Sequence, residues 1–323
     1  MTDQPPATPL PERPTVDVVI ATAGSRPATL RTALAAVAAQ TYPGPIVTTL
    51  VFDQCPVDQG YAVSDPDRPV HVVANEHHSP GLAGARNTGV DAGSGELVAF
   101  CDDDDEWLPT KVEKQVAALR AGEAPTSVTG IIVRYTDREV PRVPDPADLT
   151  VETLARNRVM EAHPSTVMVR RDALTGPIGP VDEAIPGSFA EDYDWILRAA
   201  RVGGFAVVPE PLVAVLWGAS LFQRDWATII AALDYLLDKH PEFRDDPRAH
   251  ARVLGQQAFA RAGGPGRREA WRLIGRTLRA HPREKRIVAA AVVALRLVSA
   301  ERLLTVAHRR GPRGGAGRGV TQR

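Results

Sequence analysis

Four consecutive aspartates, Asp102 to Asp105, follow directly on the apolar run Leu97-Val98-Ala99-Phe100-Cys101. Two like charges about 4 Å apart repel by roughly 1 kcal/mol in water and roughly 4 kcal/mol at the dielectric of a protein surface. A solvated acidic tail relieves this repulsion by spreading out. A tight turn at the end of a sheet strand does not, unless a cation sits among the carboxylates. Hard divalent ions such as Mg²⁺ and Mn²⁺ take one or two carboxylates and complete their shell with water and substrate phosphate. In open α/β sheets, ligands bind outside the carboxyl ends of the strands. The turn therefore points to a metal-diphosphate site. The apolar Trp107-Leu108-Pro109 that follows argues against a plain acidic surface loop.

Other residues could do chemistry but have ordinary explanations when read singly. Asp53 ends a second strand-like run, where an aspartate commonly makes a turn. Glu191 and Asp192 open a helix, and acids there offset the macrodipole by about 0.3 to 1 kcal/mol without any chemistry. Arg86 and Asn87 read in isolation as a solvent-facing helix segment. His163, before Pro164-Ser165-Thr166, could face an acceptor or a phosphate but reads first as a satisfied loop histidine, and His77-His78, lacking metal partners at useful spacing, as surface. Trp195 and Trp217 suit either sugar stacking or core packing.

The elements that must position these residues alternate. Strand signals at 16–22, 46–52, 70–74 and 96–101 are separated by helix signals at 29–40 and 82–91. Such alternation predicts a largely parallel sheet with helices on both faces. Asp53 and the aspartate turn then share one edge. Further along, the pattern predicts a helix to about 121, a strand over 126–135 and a Pro/Asp-rich loop over 136–149. It goes on to short strands at 166–169, 205–208 and 212–216 and a helix over 191–202. From Asp225 onward it is helical only, at about 226–239, 247–262, 267–280 and 284–308.

At 323 residues, 44% hydrophobic and 24% charged, the chain suits a soluble globular protein of one large domain with an appendage. Cys55 and Cys101 form neither a zinc spacing nor a disulfide framework, which favours a reducing interior. No apolar leader and no run of about 18 apolar residues is present. The expected location is the cytoplasm, with peripheral contact at the inner face of a membrane as a further reading. The net charge of −1 hides an asymmetry: residues 1–240 carry −14 and residues 241–323 carry +13.

Taken together, the first 220 or so residues resemble the inverting family 2 glycosyltransferases of the GT-A fold. Val18-Val19-Ile20-Ala21-Thr22 looks like the opening strand of that family. Leu50-Val51-Phe52-Asp53 looks like its second strand. Gly84-Ala85-Arg86-Asn87-Thr88-Gly89 resembles its Ala-Arg-Asn-x-Gly segment. Leu97 to Trp107 resembles the strand that carries Asp-x-Asp, and Val181-Asp182-Glu183 and Glu191-Asp192-Tyr193-Asp194 its later acidic segments. The resemblance implies a Rossmann-like, mainly parallel sheet flanked by helices, with an α-helical C-terminal region. It implies nucleotide-sugar binding by Thr22, Asp53, Arg86, Asn87, Asp102 and Asp103, with Asp53 accepting from the base. It implies Asp104 as the ligand of Mn²⁺ or Mg²⁺, and Asp192 as the general base, with Glu191 orienting the site and Asp194 structural. Asp105 is expected to cap the next helix. Where the family often continues Asp-Gly-Ser after the second aspartate, this chain has Gln54-Cys55-Pro56.

Composition and pattern, with the resemblance, divide the chain into a disordered Pro-rich lead-in at 1–14, a transferase domain at 15–222, a helical region at 223–310 and a disordered basic tail at 311–323. The expected partners are a nucleotide-sugar donor, UDP-linked, and a hydroxyl acceptor that is a saccharide or lipid-linked. The basic helices allow docking on an anionic membrane, on the acidic part of the chain, or on a second copy; nucleic acid is disfavoured because aromatics are not interleaved with the arginines. Gln223-Arg224-Asp225-Trp226 has the wrong spacing for a processive synthase. Two other function classes stay open: a nucleotidyltransferase, which would release pyrophosphate, and a non-catalytic docking protein on a degenerate scaffold.

Overall fold

The computed structural model describes residues 9–135, 137–216 and 225–310. The chain divides into two compact units after Leu216. The boundary expected at 222, most of the lead-in, Trp217, Gln223, Arg224 and the basic tail lie outside the described residues.

The first unit is built on β1 (Val16–Thr22), β2 (Ile46–Phe52), β3 (Val70–Ala74) and β4 (Leu97–Asp102). They lie in the order β3-β2-β1-β4, all parallel. β1 and β4 are buried along almost their whole length, as near-continuous apolar strands covered on both faces must be. The covering helices include α1 (Pro27–Ala38), which starts with proline in its first turn, and α2 (Leu82–Asp91). Gly89 lets α2 approach the sheet: a Cβ there would sit 2.3 Å from Val19 Cγ1.

The other half of the sheet is mixed. Its members are β5 (Glu106–Trp107), β6 (Thr126–Arg134), β7 (Glu139–Arg142), β8 (Val167–Arg170) and β9 (Phe205–Leu216). β8 runs antiparallel between β4 and β6, β9 lies parallel to β6, and β5 and β7 pair antiparallel at the margins. The two strands expected near 205 and 212 are one. β9 passes through Pro209 and Pro211, and its register with β6 shifts around Gly130, so the prolines lie where the ladder is interrupted. The helices of this half are α3 (Lys111–Ala121), α4 (Val151–Arg156), α5 (Arg171–Thr175) and α6 (Glu191–Arg201).

The second unit is helical: α7 (Trp226–Lys239), α8 (Glu242–Asp245), α9 (Pro247–Gly263), α10 (Arg267–Ala280), α11 (Arg286–Ala294) and α12 (Ala300–Arg310). Asp225 and Asp246 cap α7 and α9 by accepting backbone N–H bonds. Leu254, Ala258, Leu273, Ile274 and Ala290 form one core cluster, and Ala262, Ala270, Val293, Ala294 and Ala300 a second. The single helix expected over 284–308 is two. α11 closes in a turn where Arg296 takes φ 61° and the Leu297 N–H bonds Val292 O at 3.1 Å. No helix among the described residues is long and apolar enough to cross a membrane.

Candidate active site

Three parallel strands end side by side. Register pairs Thr22 with Phe52, and Ala21 with Asp102, so Thr22, Asp53 and the aspartate turn emerge at one sheet edge. Asp53 is tied there by its backbone N–H to Thr22 O at 2.9 Å. Its carboxylate accepts from Asn75 Nδ2 at 2.8 Å, from the Gly81 N–H at 3.0 Å and from Gln54 Nε2 at 3.0 Å. Gly81 has φ 122°, a conformation glycine adopts without strain. Gln54 stands at φ 54° where the family pattern has no glutamine, and it contacts Asp53 directly.

The four aspartates diverge in their partners. Thr22 Oγ1 donates to Asp103 Oδ2 at 2.7 Å. Arg26 pairs with Asp104 and reaches Asp103 Oδ1 at 3.4 Å. Asp102 accepts from Arg86 Nη2 at 2.8 Å. Asp105 does not cap α3, whose N-cap position is Thr110. It is buried instead, accepting from Ser165 Oγ at 2.6 Å, while Ser165 Oγ accepts from the Asp102 N–H at 2.9 Å. His163 Nδ1 lies 3.3 Å from Asp105 Oδ2 and its Nε2 lies 3.8 Å from Asp102 Oδ2. Ligand atoms of Asp102, Asp105 and His163 all lie within 4.8 Å of one another, a set that could hold a metal ion.

Electrostatics in the turn follow from burial and crowding. Burial pushes the Asp103 and Asp104 carboxyls above the usual range, against the pull of Thr22 and Arg26. Asp105 rises to about 7, through burial with Asp102 and Asp104 beside it. Asp102 goes the other way: burial opposes its charge, but Arg86 and His163 outweigh that and hold it down. Four carboxylates face two guanidinium groups, and the excess negative charge is what a divalent cation would neutralise. Two carboxylates and an imidazole are also a chemically suitable donor set for Mn²⁺.

Arg86 joins distant parts of the chain. From the buried face of α2 it donates Nη1 to Glu191 Oε1 at 2.7 Å as well as Nη2 to Asp102. It is a buried cross-link between the aspartate turn and the start of α6. Burial, then Asp192, push Glu191 up to about 7 despite Arg86. Asp192 accepts from the Tyr193 N–H at 2.8 Å and pairs with Arg158. Asp194 is fully buried and paired with Arg198 at 2.8 Å. The segment before α6 is conformationally demanding, with Gly187, Ser188 and Ala190 at φ 61°, 50° and 65°. A left-handed alanine is uncommon and clusters at sites that require an exact backbone path.

Asn87 does not face open solvent. Its Nδ2 donates to Val181 O at 2.8 Å and Glu183 Oε1 at 2.6 Å, and its Oδ1 accepts from the Val181 N–H. It therefore anchors the acidic segment 181–183 to α2. His78 also differs from its surface reading: Nδ1 lies 2.6 Å from Glu183 Oε1 and Nε2 3.0 Å from Asp91 Oδ2. Trp195 is core, edge-on to Phe100 with ring centroids 6.4 Å apart. Sequence reasoning missed Arg26, Arg158, Ser165 and the approach of His163. Only Arg26, two residues past the Gly24 turn and just before Pro27, carried a signal by its place after β1.

Residues 17–175 match the family described as Glycosyl transferase family 2. Among curated proteins, the chain is 30% identical over 183 residues to the uncharacterized glycosyltransferase YwdF of Bacillus subtilis, covering 54% of this chain and 66% of that protein. Among solved structures it resembles S. aureus TarS 1–349 in complex with UDP-GlcNAc, with a TM-score of 0.58, 16% identity and 92% of each chain covered. It also resembles the mannosyltransferase PcManGT from Pyrobaculum calidifontis in complex with GDP-Man and Mn²⁺, with a TM-score of 0.51, 20% identity, and 95% of this chain and 88% of that one covered. The fold is GT-A. The chain belongs to glycosyltransferase family 2. It spans between 52% and 66% of the length of the curated relatives it matches first.

Proposed function

We propose that the protein is a metal-dependent, inverting glycosyltransferase that moves a sugar from a nucleoside-diphosphate donor, UDP-linked, to an acceptor hydroxyl. The observation that carries this reading is the convergence at one sheet edge of Asp53 and the aspartate turn, which Arg86 cross-links to the Glu191-Asp192 helix start. Asp53, held by Asn75 and Gly81, accepts from the N–H of the base; a carboxylate makes the stronger, charge-assisted bond there. Thr22 and Asp103 line the nucleoside beside it, and Asp102 reaches the ribose or a bound water. Arg86 and Asn87 hold this arrangement rigid.

Asp192 accepts the proton of the attacking hydroxyl at its carboxylate. A positioned carboxylate typically contributes about 10²- to 10⁴-fold as general base. Single displacement on the face opposite the leaving group inverts the sugar. Arg158 pairs with Asp192 and so holds its carboxylate in place before the acceptor arrives. Mn²⁺ or Mg²⁺, when bound, supplies Lewis-acid neutralisation of the charge developing on the departing diphosphate. Asp104 is the ligand that the family pattern implies. The approach of Asp102, Asp105 and His163 favours a second reading in which those three share the ion. We assign the chemistry to residues 15–222 and place the enzyme in the cytoplasm.

Calorimetric titration of UDP, GDP and dTDP with and without Mn²⁺ tests the proposal. Mn²⁺-dependent binding of one nucleotide is expected, lost in Asp104→Ala. If His163→Ala loses it and Asp104→Ala does not, the second ligand set holds. Binding of none of the three would overturn the donor reading.

A further inference from the structure

α10 and α11 carry apolar surface that the core of the second unit does not use. In α10, Ala270, Leu273, Ile274 and Thr277 face inward. Trp271 and Leu278, seven residues apart and so on one face, are 42% and 44% exposed. Arg268, Arg272 and Arg279 are exposed alongside, at helical spacing on the same outward side. α11 also leaves apolar side chains outward. Val288 and Leu295, again seven apart, are 67% and 57% exposed, and Leu297 in the closing turn is 70% exposed. These are the three most exposed large hydrophobic side chains among the described residues.

The turn that carries two of them is unusual. Arg296 occupies the left-handed position, φ 61°, that glycine normally takes after a helix. Its N–H bonds Val293 O at 2.9 Å, and the turn leaves Leu295 and Leu297 outward with a guanidinium between them. Scattered exposed leucines need no explanation. Here the apolar side chains alternate with cations, in a stretch that carries +13 while the rest of the chain carries −14.

We propose that the outward surfaces of α10 and of α11 with its closing turn dock on an anionic bilayer. Trp271, Leu278, Val288, Leu295 and Leu297 enter the headgroup region, and the arginines meet lipid phosphates while their stems stay in the apolar boundary. A nucleic-acid surface would interleave aromatics with the arginines, and Trp271 is alone in that role across α10 and α11. The proposal deepens the transferase reading by placing its acceptor at a lipid surface. It rests on that reading for its use, not for the binding itself.

The test is flotation of the full chain with vesicles of phosphatidylcholine, with and without phosphatidylglycerol. Binding is expected only with phosphatidylglycerol, and weaker in high salt. The triple variant Arg268→Gln/Arg272→Gln/Arg279→Gln should lower partitioning by about a hundredfold, since each cation at an anionic surface is worth roughly fivefold. Leu295→Ser/Leu297→Ser should lower it by at least about tenfold per leucine at full insertion. Both sets change exposed side chains, and circular dichroism checks that they fold. No binding to either vesicle, equal binding to both, or unchanged binding of both variants would overturn the proposal. So would loss of a dimer, seen by light scattering, in the leucine variant. UDP titration of the same variants separates the two claims: UDP binding without vesicle binding sinks only the docking surface, and the reverse sinks only the donor site.

Discussion

Replacing Glu191 by glutamine removes a charge that the folded protein holds at a cost. Arg86 is shared between Glu191 and Asp102, at 2.7 and 2.8 Å. One cation for two acids leaves one acid uncompensated, and Asp192 adds another negative group next to Glu191. The proton goes to the more deeply buried acid; the Glu191 side chain is 5% exposed and that of Asp102 24%. Burial, then Asp192, lift the Glu191 carboxyl from 4.5 to about 7. A folded-state value above the unfolded one destabilises the fold wherever the group is ionised. The cost is about 3 kcal/mol above pH 7 and vanishes as pH falls to about 4.5. Glutamine matches the protonated acid in shape, still accepts from Arg86, and does not titrate. Glu191→Gln should therefore stabilise the sheet unit by about 3 kcal/mol at pH 8 and be neutral near pH 4.5. Urea unfolding followed by near-UV circular dichroism, at pH 5, 6.5 and 8, measures this. A variant less stable than wild type at pH 8 would mean instead that Arg86 holds Glu191 ionised.

Asp192→Asn should cut sugar transfer by about 10²- to 10⁴-fold and leave UDP affinity unchanged in titration; a matching loss of UDP binding would mean Asp192 is not the base. Arg26→Gln removes the cation paired with Asp104 and should tighten Mn²⁺ binding without nucleotide by roughly tenfold, read by Mn²⁺ electron paramagnetic resonance. His78 is held by Asp91 and Glu183, which raise its pKa although burial opposes the charge. Its contribution is complete below the ordinary histidine value and is lost as pH rises through the folded value. The melting temperature of wild type should fall over that window, and His78→Gln should abolish that limb. Gly89→Ala puts a methyl group 2.3 Å from Val19 Cγ1 and should destabilise the sheet unit by about 1 to 3 kcal/mol in the same urea assay.

What could be read from the sequence was what is local. β1, β2 and β4 announce themselves because strands covered on both faces must be continuous apolar runs, and α2 and α6 because their boundaries carry glycine and acidic signals. That Thr22, Asp53 and the aspartates share an edge follows from parallel pairing alone. β8 is different. Its antiparallel insertion between β4 and β6 depends on pairing partners far apart in the chain, and nothing within Val167–Arg170 fixes a direction. The same limit hid the site's cross-links. Arg86 looked solvent-facing because Glu191 lies 105 residues away, and His163 looked idle because Asp105 approaches it only through the fold. Arg296 hid a helix break, since arginine is a good helix former and its left-handed turn is a tertiary choice.

The measurement that bears most directly on the account is the product analysis of UDP-sugars incubated with the protein, Mn²⁺ and a hydroxyl acceptor. Release of UDP, a glycoside inverted at the anomeric carbon, and loss of both in Asp192→Asn are the expected results. Release of pyrophosphate in place of UDP, or a glycoside of retained configuration, would contradict the proposed chemistry.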